Sequence, residues 1–173
     1  MRAIARNIGM ISLWVSAFLL LVSCGPKVIP EVLEERIDRR LTFEEVKENP
    51  EAHLGRLILI GGEIIETRNF EDKTEIEVLQ KPLGSDRAPI PIDESGGRFI
   101  LIHPTFLDPV VFKSGRRITV VGVVQGKRME RIGQAEGVVP VLGDEHIYLW
   151  PSGRYQKEPS INIGFGFGAI FGR

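Results

Sequence analysis

The chain has 173 residues, of which 43% are apolar, and a formal net charge of −1. That length suits one domain with extras at its ends, and the balanced charge excludes a polybasic footprint for nucleic acid or anionic lipid. A single cysteine, Cys24, rules out an internal disulfide and a cysteine-histidine zinc cluster, and His53, His103 and His146 lie far apart in sequence.

The first 23 residues differ from the rest. Residues 1–7 carry Arg2 and Arg6 and no acid, and residues 8–22 carry no charge at all. A basic start, a short apolar run and small residues at the boundary describe a secretory signal peptide. The run is about 15 residues against the roughly 20 a spanning helix needs, so an uncleaved anchor is the weaker reading. The boundary tetrapeptide Leu21-Val22-Ser23-Cys24 resembles a bacterial lipobox. The resemblance implies that the thiol of Cys24 receives a diacylglycerol, that residues 1–23 are removed, and that the new amine is acylated. A buried structural thiol is the alternative. Gly25, Pro26, Lys27 and Pro30 argue against it, because they read as an extended tether. Each buried CH₂ contributes about 0.8 kcal/mol, and stable anchoring needs more than one chain. A triacylated Cys24 would therefore anchor the protein to a membrane without crossing it. In Gram-negative lipoproteins an aspartate after the cysteine signals inner-membrane retention; here that position is Gly25, which implies the outer membrane.

Past Cys24 the chain holds 20 basic and 23 acidic side chains, once Arg2 and Arg6 are set aside. Residues 31–40, EVLEERIDRR, predict a short helix with a thin stripe of Val32, Leu33 and Ile37, or else a flexible linker. Residues 42–49 predict a firmer helix. Thr42 and Glu45 have capping-box spacing, Phe43 and Val46 share a face, and Asn49-Pro50 ends it. Residues 56–66 predict a strand interrupted by Gly61-Gly62, a pair that reads as a bulge. Residues 73–80, KTEIEVLQ, alternate cleanly, with Thr74, Ile76 and Val78 on one side and Glu75 and Glu77 on the other.

Residues 81–97 read as a long loop, 98–102 as a third strand, and 104–112 as a break with one helical turn. Residues 117–124, RITVVGVV, are the clearest strand, with Gly122 inside it. A polar connection over 125–137 follows, then two short strands over 138–142 and 146–150 separated by GDE. The pattern predicts a mainly β fold: a small five- to six-stranded OB-like barrel with one or two short helices, or an open meander sheet on the residue 42 helix. The end, SINIGFGFGAIFGR, alternates glycine with aromatic and aliphatic residues. It reads as a poorly ordered terminus or as a segment that contacts a membrane or partner. The organisation predicted is a signal peptide over 1–23, a lipidated N-terminus and linker over 24–41, a β-barrel domain over 42–151 and a Gly/aromatic tail over 152–173.

Motifs for chemistry are few. GVVQGK at 122–127 is one residue short of a phosphate loop, and Arg128 stands where a hydroxyl would hold magnesium. Asp144, Glu145 and His146 are adjacent, so they do not converge on one ion. Single-stranded nucleic acid needs aromatic platforms in a basic groove, and the aromatics here are scattered. The expectation is no catalytic residue, no cofactor, no metal and no nucleic acid.

Several segments, in order, resemble the Slp family of starvation-inducible outer-membrane lipoproteins: TFEEVKENPEAHLGRLILIGGEI, KPLG, GRFILI, FLDP, GRRITVVGVVQG, IGQAEGVVPVL and HIYLWP, spanning about 42–151. The resemblance implies an envelope lipoprotein linked to stress or stationary phase, with Gly61, Gly62, Arg98, Phe99, Gly122, Pro140 and Trp150 at recurrent motif positions. A bulge accounts for Gly61-Gly62, close packing for Gly122, and a cap on the barrel for Trp150. Arg98 has no such reason and is the candidate for a binding or pairing role. Three functional readings follow: a non-enzymatic lipoprotein whose barrel faces the periplasm and stabilises the envelope or binds a partner, an accessory subunit docking through its tail, and an enzyme on an envelope polymer. The partners implied are outer-membrane lipid, through acylated Cys24, and an envelope protein.

Overall fold

The computed structural model describes residues 27–152. Cys24, the signal peptide and residues 153–173 lie outside the described residues. Five strands form a closed barrel: β1 (Leu57–Asn69), β2 (Thr74–Lys81), β3 (Arg98–His103), β4 (Arg117–Ile132) and β5 (Ala135–Leu149), in the order β1-β2-β3-β5-β4. The β3–β5 pair is parallel and the other pairs are antiparallel. This is the mainly β barrel that the sequence predicts, rather than an open meander. Closure depends on β1, which pairs with β4 from Leu57 to Glu63 and with β2 from Gly61 to Asn69. Residues 61–63 are paired on both sides, so they bridge the two halves of the wall.

Alternation sets the interior. Ile58, Ile60 and Ile64 from β1, Ile76 and Val78 from β2, Phe99 and Leu101 from β3, Ile118, Val120 and Val124 from β4, and Leu142 from β5 form one buried cluster. One end of this core is filled by α2 (Phe43–Glu48), which buries Phe43 and Val46. Thr42 caps it with the reciprocal box expected: Glu45 N–H donates to Thr42 Oγ1 at 3.3 Å, and Thr42 N–H donates to Glu45 Oε2 at 2.8 Å. Phe43 meets Phe99 edge to face at 6.1 Å. A 3₁₀ turn (Pro50–His53) leads from α2 into β1.

Other expectations are corrected. The helix over 31–40 shrinks to α1 (Glu31–Glu34). Beyond it the Asp38 N–H donates to the Leu57 carbonyl at 2.9 Å, which takes the backbone onto the barrel. No bulge lies at Gly61-Gly62; the β1–β2 register shifts between Ile64 and Glu66. The glycines are there because backbone and side chains crowd them. A Cβ on Gly62 would lie 2.4 Å from the Leu79 carbonyl oxygen, and one on Gly61 would lie 2.2 Å from a Leu83 methyl. The polar connection and two final strands are instead one long β4–β5 hairpin. Its register shifts between Val124 and Gly126 and between Val121 and Gly122, leaving Gln125 and Glu145 as the extra residues. The acidic GDE is thus a bulge inside a strand, not a break between two.

Candidate functional site

The end of the barrel opposite α2 is closed by residues 104–112. Thr74, fully buried at the start of β2, organises it. Its hydroxyl sits 2.5 Å from Asn69 Oδ1 and 2.8 Å from the Thr105 carbonyl, and it accepts from the Leu107 N–H at 3.1 Å. Asn69 Nδ2 donates to the Leu107 carbonyl at 3.1 Å, and Thr67 donates to the Phe112 carbonyl at 2.6 Å. These bonds fix which side of the segment is inside. Leu107 and Phe112 pack on the core, whereas Phe106 and Val110 stand 70% and 77% exposed, with Val111 beside them. Phe70, in the β1–β2 turn next to Asn69, is also exposed, and Lys73 Nζ lies 5.4 Å from its ring centre. Arg116 ties this end to the end of the described chain, donating to the Val111 carbonyl at 3.0 Å and to the Trp150 carbonyl at 2.8 Å. The described chain therefore ends beside exposed apolar side chains.

A polar pair lies on the inner side of this end. His103, the last residue of β3, places Nδ1 2.5 Å from Asp144 Oδ2 on β5, and its Nε2 lies 2.9 Å from Thr105 Oγ1. A carboxylate only accepts, so Nδ1 carries the proton toward it. Burial pushes the Asp144 carboxyl above its ordinary range, against the opposing pull of His103. Asp144 Oδ1 is buried without a partner among the described residues. The pair has an acid–base look, yet both His103 nitrogens are engaged within the wall. Among the described residues no group of three or more His, Cys, Asp or Glu is placed to hold a metal ion.

The residues singled out from sequence are scattered over the barrel and do not form one site. Arg98 lies on the outer wall and donates from Nη1 to Glu77 Oε1 at 2.7 Å, a diagonal pair across β2 and β3. Phe99 is fully buried in the core, Pro140 is buried in β5, and a Cβ on Gly122 would meet the Leu142 side chain at 3.1 Å. Trp150 does not cap the barrel. The inward positions at the end of β5 belong to Ile147 and Leu149, which pack on the core. Trp150 faces the outer wall, where its indole donates to Thr119 Oγ1 at 2.9 Å and its ring meets Tyr148 edge to face.

Sequence reasoning missed three features. The exposed apolar group at Phe70, Phe106, Val110 and Val111 mixes positions from a turn and a loop, so no periodicity announces it. The His103–Asp144 pair joins residues 41 apart. Glu75, read as a solvent-facing member of an alternating strand, is only 3% exposed and is held by Arg128.

A second apolar cluster covers the outside of the β1–β4 wall. Val28, Ile29, Leu33 and Ile37 pack there against Leu57, Leu59, Val121 and Val123. His146 Nε2 lies 2.9 Å from the Val28 carbonyl, and Arg87 pairs with Glu34. Residues 28–37 are therefore a strap lying on the barrel.

Comparison with known proteins places this architecture. The model of the outer membrane lipoprotein Slp family matches residues 21–166, a span that takes in Cys24, the whole barrel and the first part of the C-terminal segment. It extends past the 42–151 resemblance in both directions. An uncharacterized protein of Haemophilus influenzae is 34% identical over 96 residues, which is 55% of this chain and 52% of that protein. The chain thus spans about half the length of that curated relative. No solved structure matches. No helix among the described residues is long and apolar enough to cross a membrane.

Proposed function

The chain belongs to the outer membrane lipoprotein Slp family, and within it we propose a non-enzymatic envelope protein, anchored through acylated Cys24, whose barrel faces the periplasm and binds an envelope protein. The observation that carries the partner-binding part is the apolar end of the barrel. Phe106, Val110 and Val111 are held outward by a hydrogen-bonded loop rather than left loose, and Phe70 stands exposed in the β1–β2 turn beside Asn69, to which that loop is bonded. Exposed apolar groups on a rigid frame fit a docking surface. A link to stress or stationary phase, implied by the sequence resemblance, belongs to this proposal.

The C-terminal segment supports a second reading, an accessory subunit that docks through its tail. Arg116 fastens the Trp150 carbonyl, near the end of the described chain, to the same apolar end, which supports that reading. A photo-crosslinking side chain at Val110 in cells, against one at Asp93, tests the proposal. A discrete adduct from Val110 alone, reproduced by a crosslinker on the identified partner, is expected. No adduct from either position would remove the docking surface. Loss of the adduct on deletion of residues 160–173 would favour the tail reading.

A further inference from the structure

We propose that this domain does not hang from a flexible stalk but rides against the lipid surface, with the strap on its β1–β4 wall turned toward the membrane. The inference rests on the acylation of Cys24. Its other support is chain length. Only Gly25 and Pro26 separate Cys24 from Lys27. An extended chain covers at most about 3.6 Å per residue, so the Cα of Lys27 lies within roughly 11 Å of the Cα of Cys24. Lipid-anchored domains on a stalk need a solvated linker, and here the segment that would serve is already committed to the barrel.

The commitment is specific. Ile29 is 5% exposed and packs with Leu57 and Val121. Val28, Leu33 and Ile37 extend that contact. Polar ties hold both sides: His146 to the Val28 carbonyl, Arg87 to Glu34, Arg56 to Asp38, and the Asp38 N–H to the Leu57 carbonyl. Arg87 is itself fixed, because its carbonyl accepts from the fully buried Thr119 hydroxyl at 2.7 Å. Lifting the barrel away from the bilayer would require peeling the strap, which exposes apolar surface on both layers. Val32, 74% exposed on the strap eight residues from Cys24, is left facing outward where the lipid surface would lie. Met129 is exposed on the β4–β5 hairpin, beyond Val121 and Val123 that the strap covers, and its neighbour Arg128 reaches across to Glu75 on β2.

The acylated thiol leaves any engineered cysteine unique, which gives a clean test. Val32→Cys and Met129→Cys would each be spin-labelled in the full lipoprotein, reconstituted in vesicles of phosphatidylethanolamine and phosphatidylglycerol. Collision with a water-soluble nickel chelate is the readout. The expected result is several-fold lower chelate access at position 32 than at 129, with the difference erased by a flexible Gly/Ser insert of about 20 residues between Pro26 and Lys27. Equal access at both positions, in protein whose intact mass shows the acyl chains, would overturn the orientation and leave the anchor standing. A mass without acyl chains would overturn both.

Discussion

Arg128 grips Glu75 with both ends of its guanidinium: Nη1 donates to Oε2 at 2.8 Å and Nη2 to Oε1 at 2.9 Å, joining β4 to β2 across the outside of the barrel. Lys73 Nζ adds a third contact at 3.1 Å. The hydrogen bonds from Arg128 outweigh burial and hold the Glu75 carboxyl down to about 2, from an ordinary 4.5. A folded-state value below the unfolded one means stability that is present above the unfolded value and lost as pH falls through the folded one. The pair therefore contributes about 2–3 kcal/mol at neutral pH that disappears between about pH 4.5 and pH 2. Glu75→Gln should lower unfolding free energy by about 2 kcal/mol at neutral pH and flatten its decline across that acid window. Urea melts at a series of pH values measure both. Parallel pH profiles for the two proteins would show that Glu75 is not the acid-sensitive group.

Gly61 and Gly62 should not be equivalent. At Gly62 an added Cβ meets the Leu79 backbone oxygen at 2.4 Å and a Val78 methyl at 2.5 Å, and Gly62 is paired with both neighbouring strands. Relief would require moving the ladder that closes the barrel. At Gly61 the closest atom is a Leu83 methyl, which can rotate, with the Pro89 ring at 3.1 Å. Gly62→Ala should cost about 3 kcal/mol, while Gly61→Ala should cost about 1 kcal/mol. Thermal or urea unfolding of the two variants ranks them, and the reverse ranking would mean that the Leu83 side chain yields less readily than the backbone of β2.

Thr119 is the hinge of another small network. Its hydroxyl accepts from the Trp150 indole at 2.9 Å and donates to the Arg87 carbonyl at 2.7 Å, with the residue 1% exposed. Thr119→Val keeps the shape and strands both partners, which should cost about 2 kcal/mol. The second tryptophan, Trp14, lies before Cys24. In a protein beginning at residue 25, all indole fluorescence comes from Trp150. Its emission should shift to the red and become more accessible to iodide in the variant. Unchanged stability and unchanged quenching together would mean that the Thr119 hydroxyl holds neither partner in place.

What was legible in the sequence was local. The capping box at Thr42 and Glu45 is complete within four residues, and the alternation of Thr74, Ile76 and Val78 reports one face directly. Apolar β-branched runs located the centres of β1, β3 and β4. What failed depended on distant chain. Glu75 reads as solvated because its strand alternates; its burial comes from Arg128, 53 residues later. The hairpin beyond Val124 carries Lys127, Arg128, Glu130 and Arg131, so it shows no apolar period, and its strands are defined by pairing with each other. Glycine pairs signal both a bulge and a close approach, and only the neighbours of Gly61 and Gly62 decide between them. The apolar end suffered the same limit, since Phe70 and Phe106 are brought to one end of the barrel by the bonds of Asn69 and Thr74.

Asp144 supplies the opposite pH signature to Glu75. Burial raises its carboxyl above the ordinary value, and His103 offsets this only in part. A raised folded-state value means that the ionised form is disfavoured on folding, so the contribution is most favourable at low pH and is lost as pH rises through the folded value. Any charge on this carboxyl is carried at a cost, and Oδ1 has no partner among the described residues. Asp144→Asn keeps an acceptor oxygen for His103 Nδ1 and removes that charge. The variant should be at least as stable as the natural chain at neutral pH, by up to about 1 kcal/mol. It should lose this advantage as pH falls, because the natural carboxyl is then neutral too. Unfolding curves at neutral and acid pH decide it. A loss exceeding about 1 kcal/mol at neutral pH would mean that the Asp144 contact with His103 is worth more than the burial of the carboxyl costs. It would then be a built contact at the end of the barrel rather than one the fold merely accommodates.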